Sequence, residues 1–455
     1  MAHSIRGYID EKIDDFKKRI LQFKGLPFND LLPTAVIADF IEHTPHKRAS
    51  VFSPLVTLKA FIFQVLSDDS SCRNAVASVL ADRLGDGKTA NTINTGPYCK
   101  ARQRLPLEQL IEAVKSAGAG LHRQMPDAWR WKGYNVVLAD GTTMLMPDTL
   151  KNQAAFPQQS SQKPGLGFPI ARMVGLISLA AGTVMAYSMG TYQGKGAGET
   201  SLLSQLFGSL SVGDLLLADR YYCTFGIITL LHSRGIPVLF PIHANKKVNF
   251  RQGVILGEKD HLVEWKKPKR KPVWMSDQDY AALPGTVTVR EFSVDGAVYV
   301  TTLLDPILFE KHELALLYKE RWNVELDFHS IKTDIGMERL RCESPDMVQK
   351  EVAVHLLAYN LIRGNLAQAA YLNEKFPREL SFRSAVQLVT QTARILINLA
   401  GAKLIKALHE LLKAVASTVI GKQERKSQPR AIKRRPKPFP LLTVPRNEAC
   451  LNIGF

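Results

Sequence analysis

Four polar side chains of types that bind metal ions and phosphate lie at helical spacing: Tyr318, Arg321, Glu325 and Lys332. The stretch between them has no Pro or Gly and contains good helix formers, so the sequence predicts a helix that begins near Glu310. At about 100° per residue, the four side chains fall within about 60° of one another. Unpaired charge on a half-buried face is costly, so an ion-pair network or a charged ligand must compensate it.

The residues beside this stripe predict which faces of the helix are buried. Two apolar bands flank it, Leu317, Val324, Phe328 and Ile335 on one side and Trp322 and Leu326 on the other. We expect the solvent face to carry Lys319, Asn323 and Asp327. An ordinary Arg321–Glu325 ion pair is the simplest alternative, because i, i+4 pairs are common on helices.

Two aspartates each end an apolar run that is typical of a buried strand, Asp140 after Tyr134 and Asp219 after Asp214. Either one alone is most often a turn residue. If the two strands are neighbours, both carboxylates project from one sheet edge, and with Glu325 they repel one another unless cations bind among them. Carboxylate oxygens suit Mg²⁺ or Mn²⁺, and two ions about 3.5–4 Å apart are usual for in-line attack at phosphorus.

The spacing of the helical residues also carries a family resemblance. Two, three and six residues separate Tyr318, Arg321, Glu325 and Lys332. This resembles the complete Tyr-Arg-Glu-Lys signature of the bacterial transposases named after insertion sequence four. The resemblance implies a ribonuclease-H-like core over about residues 130 to 372. It also implies that Asp140, Asp219 and Glu325 are the catalytic metal ligands, with two Mg²⁺ or Mn²⁺ ions per active site.

The same resemblance implies contacts with double-stranded DNA. Tyr318 and Arg321 would hold a phosphate near the end of the element, and Lys332 would contact the backbone close to the scissile bond. The family further implies a DNA hairpin at the opened end, with a flipped base stacked on an aromatic residue. The remaining candidates for DNA contact, aromatic and then basic, are Tyr299, Trp265, Trp274, Arg339 and Arg341. An ordinary strand residue is the alternative for Tyr299.

The elements around these residues predict an α/β protein with a mixed-sheet core and helical regions on either side. We expect a helical DNA-binding domain over residues 1–128, which includes an amphipathic helix from Ile9 to Phe23. We expect the core over 129–372, with a β-rich insertion at about 243–305, then a helical region over 373–418 and a basic tail over 419–455. In the first domain a basic helix offers Lys100, Arg102 and Arg104 to DNA, unless it is a solvated face.

Composition limits the class of protein. The chain has 455 residues, 45% of them hydrophobic, and a net charge of +17, which favours a polyanionic partner. Its five cysteines lack zinc-ligand spacing, and its first residues lack a signal peptide, so we expect a reduced, cytoplasmic bacterial protein, associated with the nucleoid when bound to DNA.

The uncharged stretch from Met173 to Gly194 is broken by polar residues and predicts two strands, so we expect no membrane partner. Gly190 to Lys195 departs from a phosphate loop, so we expect no nucleotide cofactor.

These observations predict a metal-dependent transposase. It would bind the terminal inverted repeats of its own element, cut there and join the 3′ ends to target DNA. Pairing of two ends implies a homodimer in the synaptic complex. Two alternatives stay open: another metal nuclease on the same fold, and a non-catalytic DNA-binding protein descended from a transposase.

Overall fold

The structure is a computed structural model that describes most of the chain. The described residues are 34–45, 50–85, 87–89, 92–194, 196–243, 245–397, 399–421, 443–445, 448–449 and 451. The helix predicted from Ile9 to Phe23 and most of the basic tail lie outside them.

Helices precede the sheet, as the sequence predicts. Their bounds are α1 Thr34–Glu42, α2 Pro54–Leu66, α3 Cys72–Gly85, α4 Gly96–Arg104 and α5 Leu107–Arg123. Helix α2 begins at a proline, which suits a first turn because the amide there needs no intrahelical partner. Helix α5 lies so close to the sheet that a Cβ at Gly118 would lie 1.9 Å from the carbonyl oxygen of Val184.

A nine-stranded mixed sheet forms the centre of the described molecule. Its strands are β1 Asn135–Leu145, β2 Ile170–Ser178, β3 Val184–Thr191, β4 Asp214–Leu217, β5 Val238–Pro241, β6 Val254–Gly257, β7 Asp260–Lys266, β8 Thr286–Val294 and β9 Ala297–Thr301. Their order is β3-β2-β1-β4-β5-β9-β8-β7-β6. Strands β1, β4 and β5 are parallel, and the other neighbours are antiparallel. Strands β2 and β3 confirm the two strands predicted in the uncharged stretch.

Alternation along the central strands gives the sheet two buried faces. Leu138 and Leu217 lie in one hydrophobic cluster, together with residues of α5 and of the long C-terminal helix. Val137 and Leu216 lie in the other, beneath three short helices, α7 Glu199–Ser204, α8 Phe225–His232 and α9 Asp277–Ala282. A fourth short helix, α6 Leu150–Ala155, packs against the first cluster through Ala155. The sheet is therefore the middle layer of three.

The segment predicted as a β-rich insertion continues the central sheet. Strand β9 pairs antiparallel with β5, and β8, β7 and β6 follow outward. The strand pair expected at Thr286 to Phe292 and Ala297 to Leu303 is present as β8 and β9.

Among the described residues, three long α-helices follow the signature stretch: α12 Pro345–Leu372, α13 Phe382–Ile397 and α14 Gly401–Ser417. Helix α12 is buried along almost its whole length, so its polar residues need internal partners. Asn360 illustrates this, since its amide accepts from Val184 N and donates to the carbonyl oxygens of Val114 and Val184. None of the described helices is long and apolar enough to cross a bilayer.

Candidate active site

The parallel pairing of β1 and β4 places two predicted site residues side by side. Leu138 pairs with Leu217, and Asp140 and Asp219 each lie two residues further along. Strand β4 ends at Leu217, whereas β1 continues to Leu145, so Asp140 lies within a strand and does not end one as predicted. Asp219 caps the short 3₁₀ turn Arg220–Tyr222 and accepts from Tyr221 N at 2.8 Å.

The surroundings of Asp140 disfavour its charge. Burial raises the pKa of its carboxyl to about 6, and the carboxylates of Asp219 and Glu199 add to that rise. The Gly141 amide, which donates to Asp140 Oδ1 at 2.8 Å, and the Arg321 guanidinium act in the opposite direction. A cation bound here would therefore gain from neutralising a crowded acidic edge.

The signature stretch is helical but is not one regular α-helix. It comprises α10 Lys311–Lys319, a 3₁₀ turn Glu320–Trp322, α11 Asn323–His329 and a π turn Ser330–Asp334. The predicted start near Glu310 is confirmed, since Glu310 is the N-cap. Such changes of pitch inside a helix are frequent at functional sites because they re-aim side chains.

Burial confirms one of the two predicted apolar bands and contradicts the other. Leu317, Val324, Phe328 and Ile335 are buried, as predicted. Trp322 and Leu326 are 60% and 52% exposed, so the second band faces solvent. The prediction for Asp327 is also wrong, because its side chain is fully buried beneath the signature helix.

Arg321 connects two of the predicted catalytic carboxylates. Its Nη1 donates to Asp140 Oδ2 at 3.2 Å, and its Nη2 donates to Glu325 Oε1 at 3.2 Å. The Arg321–Glu325 ion pair, predicted as the simplest alternative, is therefore present. Arg321 also pairs with Asp140 of β1 across the helix–sheet contact. Glu325 is thus linked to the aspartate edge through a guanidinium.

The other two signature residues also reach the strand ends. Tyr318 donates its hydroxyl to the carbonyl oxygen of Ala218, next to Asp219, and burial raises the pKa of this phenol. Lys332 donates from Nζ to Thr142 Oγ1 at 3.1 Å, two residues beyond Asp140. All four residues of the stripe therefore converge on the β1–β4 edge.

The described residues contain no group of three or more His, Cys, Asp or Glu side chains close enough to hold a metal ion together. Asp140 does lie close enough to Asp219 and Glu199 for their charges to raise its pKa. Mg²⁺ commonly binds through one or two carboxylates, with water and substrate phosphate as its remaining ligands. A purely oxygen donor set of this kind fits a hard divalent cation.

A family model described as a transposase DDE domain matches residues 131–361, about half of the chain. The chain belongs to the DDE-domain transposases. A transposase of this family, InsG of insertion sequence element IS4 from Escherichia coli (strain K12), is 29% identical over 359 residues, which are 76% of this chain and 78% of that protein. A cryo-EM structure of the piggyBac transposase synaptic complex with hairpin DNA aligns over 87% of this chain and 85% of that chain, with a TM-score of 0.43 and 8% identity.

The protein is thus a DDE-type transposase, an enzyme of DNA transposition and recombination. The resemblance to the insertion-sequence-four family is confirmed, and so is the predicted α/β class with a mixed-sheet core. Members of the DDE family use divalent metal ions.

Of the aromatic candidates for base stacking, Tyr299 and Trp265 are buried and Trp274 is half-buried. Tyr299 is 7% exposed and packs between Phe292 and Tyr318, with ring centroids 5.3 Å away on each side. Trp265 is buried and donates from Nε1 to Glu291. Trp274 packs edge-on against Phe207. A base could stack on Tyr299 or Trp265 only after side chains move.

The basic candidates divide into exposed and internal residues. Arg339 and Arg341 are exposed on the loop after the signature helix, and Glu351 fixes that loop by accepting from Arg341 N. Lys100 and Arg104 are exposed on α4. Arg102 instead turns inward, donating to Gln64 Oε1 and to Cys72 Sγ.

Sequence reasoning missed two acidic residues of the transposase. Asp327 accepts from Arg363 at 2.6 Å and from Arg378 at 2.8 Å, both distant along the chain. Glu199, at the start of α7, faces Gly141 beside Asp140. Neither residue carries a local sequence signal. Acidic residues such as Glu199 are common at helix starts, and Asp327 has the spacing of an exposed position on its helix.

Proposed function

We propose that this transposase binds the terminal inverted repeats of its own element, cuts the DNA there by metal-dependent phosphodiester chemistry, and joins the 3′ ends to target DNA. We assign catalysis and metal binding to Asp140, Asp219 and Glu325. One observation carries the assignment: two aspartates, each two residues beyond a paired position of adjacent parallel strands, face a helix whose Arg321 joins Asp140 to Glu325.

The assigned carboxylates suit Mg²⁺ or Mn²⁺, and we propose two ions per site. When bound, such ions activate the attacking oxygen and stabilise the leaving oxygen of an in-line displacement. The contribution of the chain is to hold the acidic edge in place and partly exclude water from it. The half-buried Asp140 and Arg321, with side chains 21% and 15% exposed, support this role.

We assign Tyr318, Arg321 and Lys332 to the scissile region of the DNA. A guanidinium presents a planar fork that matches two phosphate oxygens, and an ammonium acts as a point charge. Lys332 lies over β1 at Thr142, so it is near Asp140 without pairing with it. Arg321 would exchange part of its contact with the carboxylates for contact with a phosphate.

We further propose that two transposase molecules pair two DNA ends and that the ends pass through a hairpin. The net charge of +17 and the exposed Arg339, Arg341, Lys100 and Arg104 support binding of a polyanion. We propose Tyr299 for base stacking, with Trp265 and Trp274 as alternatives. Stacking on Tyr299 or Trp265, and a DNA contact from Arg102, would require these side chains to leave their present partners.

The test is incubation of the full chain with a duplex that carries the element's end, in Mg²⁺. We expect 3′-hydroxyl nicks at the end, hairpin-ended fragments and joined products. Asp140→Asn, Asp219→Asn and Glu325→Gln should each abolish cutting while end binding persists. Glu320→Gln is the matched control, because Glu320 is exposed on the same helical segment.

Three outcomes would contradict the proposal. Cutting of unrelated duplexes without preference for the end would indicate a nuclease. End binding without cutting by the unaltered chain would indicate a non-catalytic descendant. Cutting that survives Asp140→Asn would refute the assignment of the metal ligands.

A further inference from the structure

Glu199 approaches the acidic edge from the side opposite to Glu325. The signature helix lies over one face of the sheet, since Val324 and Phe328 belong to the cluster that contains Leu138. Helix α7, which begins with Glu199, lies over the other face, where Leu202 and Leu203 join the cluster of Val137. Strand β4 ends two residues before Asp219, so both faces have access to the gap beside Asp140.

The carboxyl of Glu199 occupies the space that a side chain at position 141 would fill. A Cβ at Gly141 would lie 2.7 Å from Glu199 Cδ and 2.8 Å from Oε1. A glycine immediately after Asp140 therefore lets a further carboxylate pack directly against β1. This close approach accounts for glycine within an otherwise regular strand.

Among the described residues, the carboxylate of Glu199 has only long polar contacts. Tyr222, three residues after Asp219, donates its hydroxyl to Oε2 at 3.5 Å. Arg172 Nε lies 3.8 Å from Oε1, and this buried Nε has no hydrogen-bond partner. The carboxylate of Glu199 therefore has oxygen lone pairs that no short hydrogen bond uses, and these are available to a ligand.

We propose that Glu199 is a fourth carboxylate of the catalytic divalent-ion site and acts with Asp140 and Asp219 from the face opposite Glu325. The inference rests on the proposed function, because it assumes that these aspartates hold the ions. The contact of Glu199 with Tyr222 links Glu199 to the turn that Asp219 caps. Its close approach to Gly141 links it to the strand of Asp140. A displacement of Glu199 should therefore change ion binding while the sheet stays intact.

The test is titration of the full chain with MnCl₂ alone, with bound Mn²⁺ followed by electron paramagnetic resonance. We expect Glu199→Gln, which keeps the size of the side chain, to weaken Mn²⁺ binding about tenfold or more, as loss of an acidic group near a bound metal typically does. Glu320→Gln should leave the affinity unchanged. Gly141→Ala should weaken binding as well, because its Cβ displaces a carboxylate that keeps its charge.

Parallel arms with Asp140→Asn and Asp219→Asn separate the two ideas. If both aspartate variants lose Mn²⁺ affinity while Glu199→Gln and Gly141→Ala retain it, Glu199 has no part in the site and the proposed function stands. If neither aspartate variant loses affinity, the proposed function itself fails. Thermal unfolding of each variant identifies any that do not fold, and either Glu199→Gln or Gly141→Ala decides the inference alone.

Discussion

Arg321 donates to Asp140 Oδ2 and to Glu325 Oε1 over equal distances of 3.2 Å. This guanidinium therefore joins the strand and the helix that carry the proposed catalytic carboxylates. Divalent ions bound by Asp140 and Glu325 must share these oxygens with it. The arrangement combines a stable helix–sheet contact with a group of the right chemistry for a phosphate.

Asp140 should destabilise the metal-free protein at neutral pH. Its carboxyl has a pKa of about 6 when folded and about 4 when unfolded, so the unfolded chain releases its proton first. The cost is complete above about pH 6 and vanishes below about pH 4, with an upper bound of about 3 kcal/mol. In EDTA, Asp140→Asn should raise the free energy of unfolding at pH 7.5 and have little effect at pH 4, as measured by urea denaturation. A variant that is less stable than the parent at pH 7.5 would contradict this.

Asp327 should contribute strongly to stability. It is fully buried and accepts from Arg363, Arg378 and the hydroxyl of Tyr359. Asp327→Asn leaves two arginines without a counter-charge, and we expect a loss of about 3–5 kcal/mol in the free energy of unfolding. Glu320→Gln, on the same segment but exposed, should change it by less than about 0.5 kcal/mol. Equal effects of the two substitutions would show that the buried network is unimportant.

Two glycines of helix α5 should respond oppositely to alanine. At Gly118 a Cβ would lie 1.9 Å from a backbone carbonyl oxygen, whereas at Gly120 nothing lies within 4 Å. Gly118→Ala should therefore destabilise by more than about 3 kcal/mol, because helix and sheet must separate. Gly120→Ala should stabilise by about 0.5–1 kcal/mol through helix propensity. Thermal melts of the pair test the close contact, and tolerance of Gly118→Ala would contradict it.

Lys332 should matter for cutting more than for folding. Its contact with Thr142 positions an ammonium beside the acidic edge. Lys332→Ala should lower the rate of end cutting at least about tenfold at saturating DNA, with unchanged thermal unfolding, because the proposed function assigns the lost charge to the DNA backbone. Lys319→Ala, exposed on the neighbouring turn, is the control. A Lys332→Ala protein that cuts normally would remove this residue from the site.

The sequence was sufficient for the parts of the site that obey local rules. Apolar runs placed Asp140 and Asp219 at one sheet edge, and helical period placed Arg321 beside Glu325. The first placement follows from the two-residue repeat of a strand, and the second from the 3.6-residue repeat of a helix. The prediction that a strand ends at Asp140 is wrong, because pairing with β2 continues β1 through Leu145.

The missed features depend on partners far along the chain. Asp327 is two positions from Glu325, and its place on the helix predicts an exposed side chain. In the structure it is buried and accepts hydrogen bonds from arginines 36 and 51 residues away. Trp322 and Leu326 are predicted to be buried but face solvent. The helical period does not show which side of the helix packs against another element. Glu199 meets Gly141 only through the packing of α7 across the sheet.

The most direct test is a structure of the transposase with a cut end duplex and Mn²⁺, with anomalous scattering used to locate the ions. We predict Mn²⁺ at the β1–β4 edge, with oxygens of Asp140, Asp219 and Glu325 all within about 2.0–2.6 Å of an ion and a DNA phosphate completing its ligands. Ions held by other side chains, or a Glu325 carboxylate that stays out of reach of every ion, would contradict it.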